Sequence, residues 1–185
     1  MARDALEVLV GTGTLYMAPL GEAFPTDPSV TPAGNWEDIG YSEEGWKFVV
    51  DRTFEDVVVA EEVDALRVLK TAQEIRVQGA AAQASLENLQ IAFGGGTIQT
   101  DTPAVGQSTY TPPASSAFTE YSLLLRVLAP PGDGTKLRDI RVPRVTPTGT
   151  VEAAHAKAPT ITVLAIDFRA IIPASGAIYD VIDEV

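Results

Sequence analysis

A chain of 185 residues, 45% hydrophobic and 21% charged, has the composition of a single soluble globular domain large enough to bury a core without covalent staples. It contains no cysteine, which excludes disulfides, thiol catalysis and cysteine-bound zinc. The 25 acidic and 13 basic residues leave a net charge of −12, the wrong sign for a face that neutralises phosphates to read nucleic acid.

Near the N-terminus the apolar run Val8 to Val10 is far shorter than a signal-peptide core or a membrane span, so the protein is expected to stay where it is made, without a membrane partner. Residues 2 to 10 fit a short helix or a short strand equally. Thr14 to Ala18 reads as a first strand, ended by Pro19. From Leu20 to Gly34 the prolines Pro25, Pro28 and Pro32 remove backbone donors and predict a loop.

The stretch from Trp36 to Thr71 holds ten acidic against four basic residues, half of the net charge. Within it Trp46, Phe48 and Val50 alternate with Lys47, Val49 and Asp51, the period-2 pattern of a half-buried strand. Arg67 to Gln78 reads as a second extended run. Between them FEDVVVAEEVDA, Phe54 to Ala65, is too apolar at Val57, Val58 and Val59 for a linker and too charged for a core segment. It reads as an arm, with Phe54, Glu55, Asp56, Val57, Val58, Val59, Glu61 and Glu62 as candidate contact residues. An ordinary buried strand at Val57 to Val59 fits equally well.

The period then changes. Ser85 is placed to cap a helix of about residues 85–93, with Leu86, Leu89 and Phe93 on one face and Gly94, Gly95 and Gly96 to stop it. A helix of two turns must pack on a sheet to persist. Thr97 to Pro113 predicts one short strand and a long turn. Phe118 to Leu128 is apolar on both faces and so predicts a central strand. The turn Ala129 to Thr135 argues a hairpin to the strand Lys136 to Thr146, where positive charge collects at Lys136, Arg138, Arg141 and Arg144. Val151 to Ala158 predicts a weak strand holding the lone His155, Thr160 to Ile172 a long strand, and Ile178 to Ile182 a last one, with Asp183 and Glu184 at an exposed tail. The predicted architecture is mainly antiparallel β, a sandwich or partly closed barrel, with one flanking helix and a long inter-strand arm, all in one unit spanning 1–185.

The residues of catalysis and cofactor binding are not in recognisable arrangements. His155 has no nucleophile elbow near it. In the glycine turn Gly11 to Thr14, Tyr16 replaces the third glycine of a dinucleotide fingerprint, and no Walker lysine follows. Asp180, Asp183 and Glu184 lack the glycine-centred loop of a calcium site. Glu43–Glu44 and Glu61–Glu62 are adjacent acids that point apart, unlike the paired carboxylates of a glycosidase. No enzyme activity, cofactor or metal is expected.

The order of segments WEDIGY, SEEGW, DRTFED, VLKT and LENLQIAFGG, after the opening TLYMAPLGEAFPTDPS, resembles the major tail tube proteins of long-tailed bacteriophages over roughly residues 14 to 172. The resemblance implies a β-sandwich subunit in rings of six, stacked into a tube through which phage DNA passes non-specifically. It also implies assembly in the host cytoplasm, a place in the virion tail, and tape-measure, tail-tip and terminator proteins as partners. Two alternatives are the tube of a contractile tail or related injection system and a non-polymerising decoration or adhesion module.

A ring of identical subunits needs two different faces that meet head to tail and close. Exposed sheet edges can supply that contact, and the arm is the candidate for stacking one ring on the next. Charge pairing between the acidic arm and the strand carrying Lys136, Arg138, Arg141 and Arg144 would set its register, unless those charges pair within one subunit. Acid lining the bore would repel a passing polyanion.

Overall fold

A computed structural model describes residues 13–58, 64–114, 118–130, 136–151, 153–154 and 163–184. In chain order they form β1 (Thr14–Pro19), β2 (Glu37–Asp38), β3 (Lys47–Val57), β4 (Arg67–Ala81), α1 (Leu86–Ala92), β5 (Thr97–Thr100), β6 (Ser108–Thr111), β7 (Tyr121–Leu128), β8 (Leu137–Pro147), β9 (Ala153–Ala154), β10 (Val163–Ala170) and β11 (Asp180–Asp183). The fold is mainly β and antiparallel, with one helix among the described residues.

The main sheet runs β2-β1-β7-β8-β10-β4-β3 and does not close into a barrel. Its path turns at β8. The C-terminal end of that strand, Val145 to Pro147, pairs with Phe168 to Ala170 of β10, whereas Arg138 to Arg141 pair with β11. β10 divides in the same way, because Val163 and Leu164 pair with β9. The sheet therefore splits into two halves, β2-β1-β7-β8-β11 and β9-β10-β4-β3. Both contribute to one apolar core, with Leu15, Leu123 and Val142 from the first and Val77, Leu164 and Phe168 from the second.

β7 is central as its sequence predicts, with β1 on one side and β8 on the other. Leu123 and Leu125 belong to the shared core. Leu124 belongs to a second cluster with Ala18 and Trp36. The Pro-rich segment is a loop, as expected, and it lies on this outer surface. The ring of Phe24 packs 5.0 Å from Trp36, and Trp36 Nε1 donates to the Ala23 carbonyl at 2.9 Å. Beneath it Arg126 donates from Nε and Nη2 to both oxygens of Asp139, at 2.7 and 2.8 Å, and from Nη1 to the Val30 carbonyl at 2.9 Å.

Ser85 caps α1, its hydroxyl accepting from the Asn88 backbone amide at 3.1 Å. Of the expected face Leu89 packs, partly buried, against the core, but Phe93 is exposed and the fully buried positions are Asn88, Ile91 and Ala92. Asn88 earns its burial by donating from Nδ2 to the carbonyls of Ile39 and Gln83, so a polar clamp rotates the helix away from its apolar count. Phe93 is the C-cap and stacks on Tyr110. Gly94 to Gly96 follow at positive φ, and a side chain on Gly96 would meet the Thr111 carbonyl at 2.5 Å.

Two other expectations change, and some fall outside the described residues. Residues 97–113 hold two strands, β5 and β6, paired as a separate hairpin. Of the weak strand at Val151 to Ala158 only Val151 and the two-residue strand Ala153–Ala154 are described, and His155 lies outside the described residues, as do residues 2 to 10 and most of the β7–β8 turn. β4 runs 15 residues, past the predicted end at Gln78, because Gly79 lets the Trp46 ring lie against the strand where a side chain would meet it at 2.4 Å.

Phe168 is fully buried where β10 meets both β8 and β4, so Phe168→Ala is expected to cost about 3–5 kcal/mol of unfolding free energy, read from urea titrations followed by circular dichroism.

Candidate assembly interface

The arm is a continuation of the β3–β4 hairpin. Pairing proceeds from Lys47↔Gln78 to Val57↔Arg67, with one irregularity at Thr53/Phe54, and the Leu66 amide donates to the Val57 carbonyl at 3.0 Å. Period-2 reading placed the strand ends at Asp51 and Arg67, but backbone pairing does not require apolar side chains and carries β3 six residues further. From Asp51 outward on β3, and from Arg67 to Gln73 on β4, every residue is exposed. At about 3.3 Å per residue the hairpin stands off the core by about 20 Å.

Register sorts the arm's side chains. Phe54 lies opposite Lys70 and Asp56 opposite Val68, on one face. Glu55 lies opposite Leu69 and Val57 opposite Arg67, on the other. Each face thus mixes apolar and charged groups, and Phe54, Val58, Leu66 and Val68 are each more than half exposed. Both edges of the ribbon are also unpaired among the described residues, because β3 ends the sheet path and β10 reaches only Arg76 to Ala81 of β4. An uncovered two-stranded ribbon is marginal in water. Apolar groups on a free edge are a template for another chain. Val59, Glu61 and Glu62 lie outside the described residues.

The basic strand is engaged within its own chain. Arg138 donates to both carboxylate oxygens of Asp183 at 2.5 and 2.7 Å, and Arg141 to both of Asp180 at 2.6 Å. Arg144 does the same with Glu120, at 2.9 and 2.7 Å. Lys136 precedes β8 and is half-buried. Asp183 and Glu184 are therefore not a free tail: β11 sits directly opposite β8, and the Glu184 amide donates to the Leu137 carbonyl at 2.9 Å while its carboxylate accepts from the Leu137 amide at 3.1 Å. The sequence carried a signal for this, since Arg138 and Arg141 have the same spacing of three as Asp180 and Asp183, and an antiparallel register matches the two pairs. Hydrogen bonding to these carboxylates raises the pKa of all three arginines, and the Arg138 guanidinium holds the Asp183 carboxyl below its ordinary value.

A second group was invisible to sequence spacing because its members are some 90 residues apart. On the outward face of β3, β4 and β10, Arg76 Nε donates to Glu74 Oε1 at 2.9 Å and its Nη1 lies 3.4 Å from Asp167 Oδ2. Gln78 Nε2 donates to Asp167 Oδ2 at 2.8 Å, and Arg169 Nε lies 3.2 Å from Glu74. The Glu74 carboxyl is lowered, chiefly by its hydrogen bond from Arg76. The only hint in the sequence was that these positions alternate with the core residues Ile75, Val77, Ile166 and Phe168.

Among the described residues no group of three or more His, Cys, Asp or Glu side chains is placed to hold a metal ion, and no helix is long and apolar enough to cross a membrane. A family model described as phage tail tube protein matches residues 1–182. No curated protein matches the chain.

The lowered pKa of Asp183 fixes the sign of a pH effect. Its pairing with Arg138 stabilises docked β11 above the ordinary aspartate value of 3.8, and that contribution is lost as the pH falls through the depressed value. Hydrogen-exchange protection of the β11 amides should fall on acidification below that range, and the fall should be smaller in Asp183→Asn, which lacks the carboxyl that Arg138 holds.

Proposed function

We propose, from the premise that the chain belongs to the phage tail tube protein family, that it closes head to tail into rings of six. The rings stack into the tube of a long, non-contractile tail, and DNA leaves the virion through the bore. Membership of the family makes the chain a structural component of the virion tail that assembles with itself and with other tail proteins. In this reading the tube meets tape-measure, tail-tip and terminator proteins at its ends.

The observation that carries the ring and stack is the arm: two edges unpaired among the described residues, and exposed Phe54, Val57, Val58 and Val68, on a ribbon that leaves the core. Neighbouring subunits cover those edges and side chains, Phe54 to Glu62 supplying the contact between rings. The acids Glu55 and Asp56 set its register. Lys136, Arg138, Arg141 and Arg144 are the candidate counterpart, and to meet a neighbour's arm the three arginines share or exchange Asp183, Asp180 and Glu120.

Negative-stain electron microscopy over a concentration series tests the polymer, with rings or hollow tubes as the expected result. Small featureless particles at every concentration, even with a tail-tip extract added, would favour a non-polymerising module. Deleting residues 54–65 is expected to leave a folded monomer with a cooperative thermal transition and no tubes. An unfolded product would instead show that the hairpin is needed for the stability of the single subunit.

A further inference from the structure

Each half of the split sheet turns one face to the shared core and the other outward, and the two outward faces differ in kind. That of β1, β7 and β8 is covered by residues 20–36, with Phe24 and Trp36 packed over Leu124. That of β3, β4 and β10 is approached among the described residues at Asp167, where Gly149 lies against the side chain and Oδ1 is buried, while Lys47 and Arg169 stay more than half exposed. Its side chains are mostly polar, including Lys47, Glu74, Arg76, Gln78, Asp167 and Arg169. It also belongs to the sheet that the arm prolongs. If subunits join through the arm's free edges, this sheet continues from one subunit to the next. The covered half, with its bulky Pro-rich segment, is then left on the outside.

Arg76 and Arg169 are by type good ligands for DNA phosphates, since a guanidinium offers a fork of donors. Here they are occupied. Glu74 accepts from Arg76 at 2.9 Å and lies 3.2 Å from Arg169, Asp167 lies 3.4 Å from Arg76, and Lys47 lies 3.5 Å from Glu44. Resting on the tube reading, we infer that the outward face of β3, β4 and β10 is the wall along which duplex DNA slides, and that Glu74 and Asp167 keep its arginines from gripping the phosphates. The wall is non-adhesive because its cations are already paired, in addition to the repulsion that the chain's net negative charge supplies.

The absence of cysteine permits a clean test. Ala165→Cys places a thiol on this face, and Ala33→Cys places one on the covering loop, both at exposed positions. Tubes of each variant, verified by electron microscopy, are labelled with biotin-maleimide and then challenged with streptavidin. Both thiols are expected to take the small label, and only the one at position 33 to bind streptavidin. Equal streptavidin binding at position 165, or no labelling there at all, would place the face outside the bore or in a contact and overturn the assignment while leaving the tube reading intact. A chain that never forms tubes would remove both.

The second measurement concerns the pairing. Tubes of Glu74→Gln are expected to retain about tenfold more of a short fluorescent duplex than unaltered tubes at low salt, the excess disappearing as salt rises. Retention equal to that of unaltered tubes, with the variant's thermal transition unchanged, would show that Glu74 does not hold the arginines away from DNA.

Discussion

β8 cannot satisfy its free edge with one partner, and the rest of the architecture depends on how it divides that edge. At Val145 to Pro147 it takes β10, and at Arg138 to Arg141 it takes β11. A strand paired along its length with β10 would give one flat sheet with two exposed faces and no interior. Splitting the partner set folds the sheet on itself, so that Leu123 and Val142 from one half meet Leu164 and Phe168 from the other in one dry core. β11, only four residues long, makes this arrangement possible by closing the part of the edge that β10 leaves open.

Polar pairs specify this geometry more than they strengthen it. Arg126 and Asp139 lie directly opposite in the β7–β8 ladder and are almost fully buried, with the guanidinium also held by the Val30 carbonyl. Taking two charges out of water offsets much of their attraction, but a one-residue slip would leave both unpaired, so the pair selects one register and fastens the Pro-rich loop over it. Arg138–Asp183 and Arg141–Asp180 do the same for β11 at the surface, where solvent screening keeps each contribution small.

The arm is the reverse case, a segment whose backbone is regular and whose side chains lack the burial that would justify them. Phe54 and Val68 extend a ladder beyond the point where Ile75 and Val77 last touch the core. Such a ribbon gains backbone pairing at little hydrophobic benefit in the isolated subunit. Among the described residues it leaves backbone donors and acceptors unpaired and apolar groups exposed, the kind of edge that another chain can cover.

Local pattern was enough for what depends on nearest neighbours. Alternation located the start of β3, apolar residues on both faces located β7, proline marked the end of β1 and the covering loop, and Ser85 with three glycines bounded α1. The segment order, read as a resemblance, pointed to the family that the match over residues 1–182 shows. Burial of Asn88 rather than Leu86, the pairing of the expected tail Asp183 with Arg138, and the joining of Glu74 and Arg76 to Asp167 were decided only by tertiary structure. In each case the deciding partner is remote in the chain: the Ile39 carbonyl, the β8 edge, or a strand some 90 residues away. Periodicity records which side of an element is apolar, whereas hydrogen bonds and ion pairs depend on which backbone and charge the fold brings opposite it.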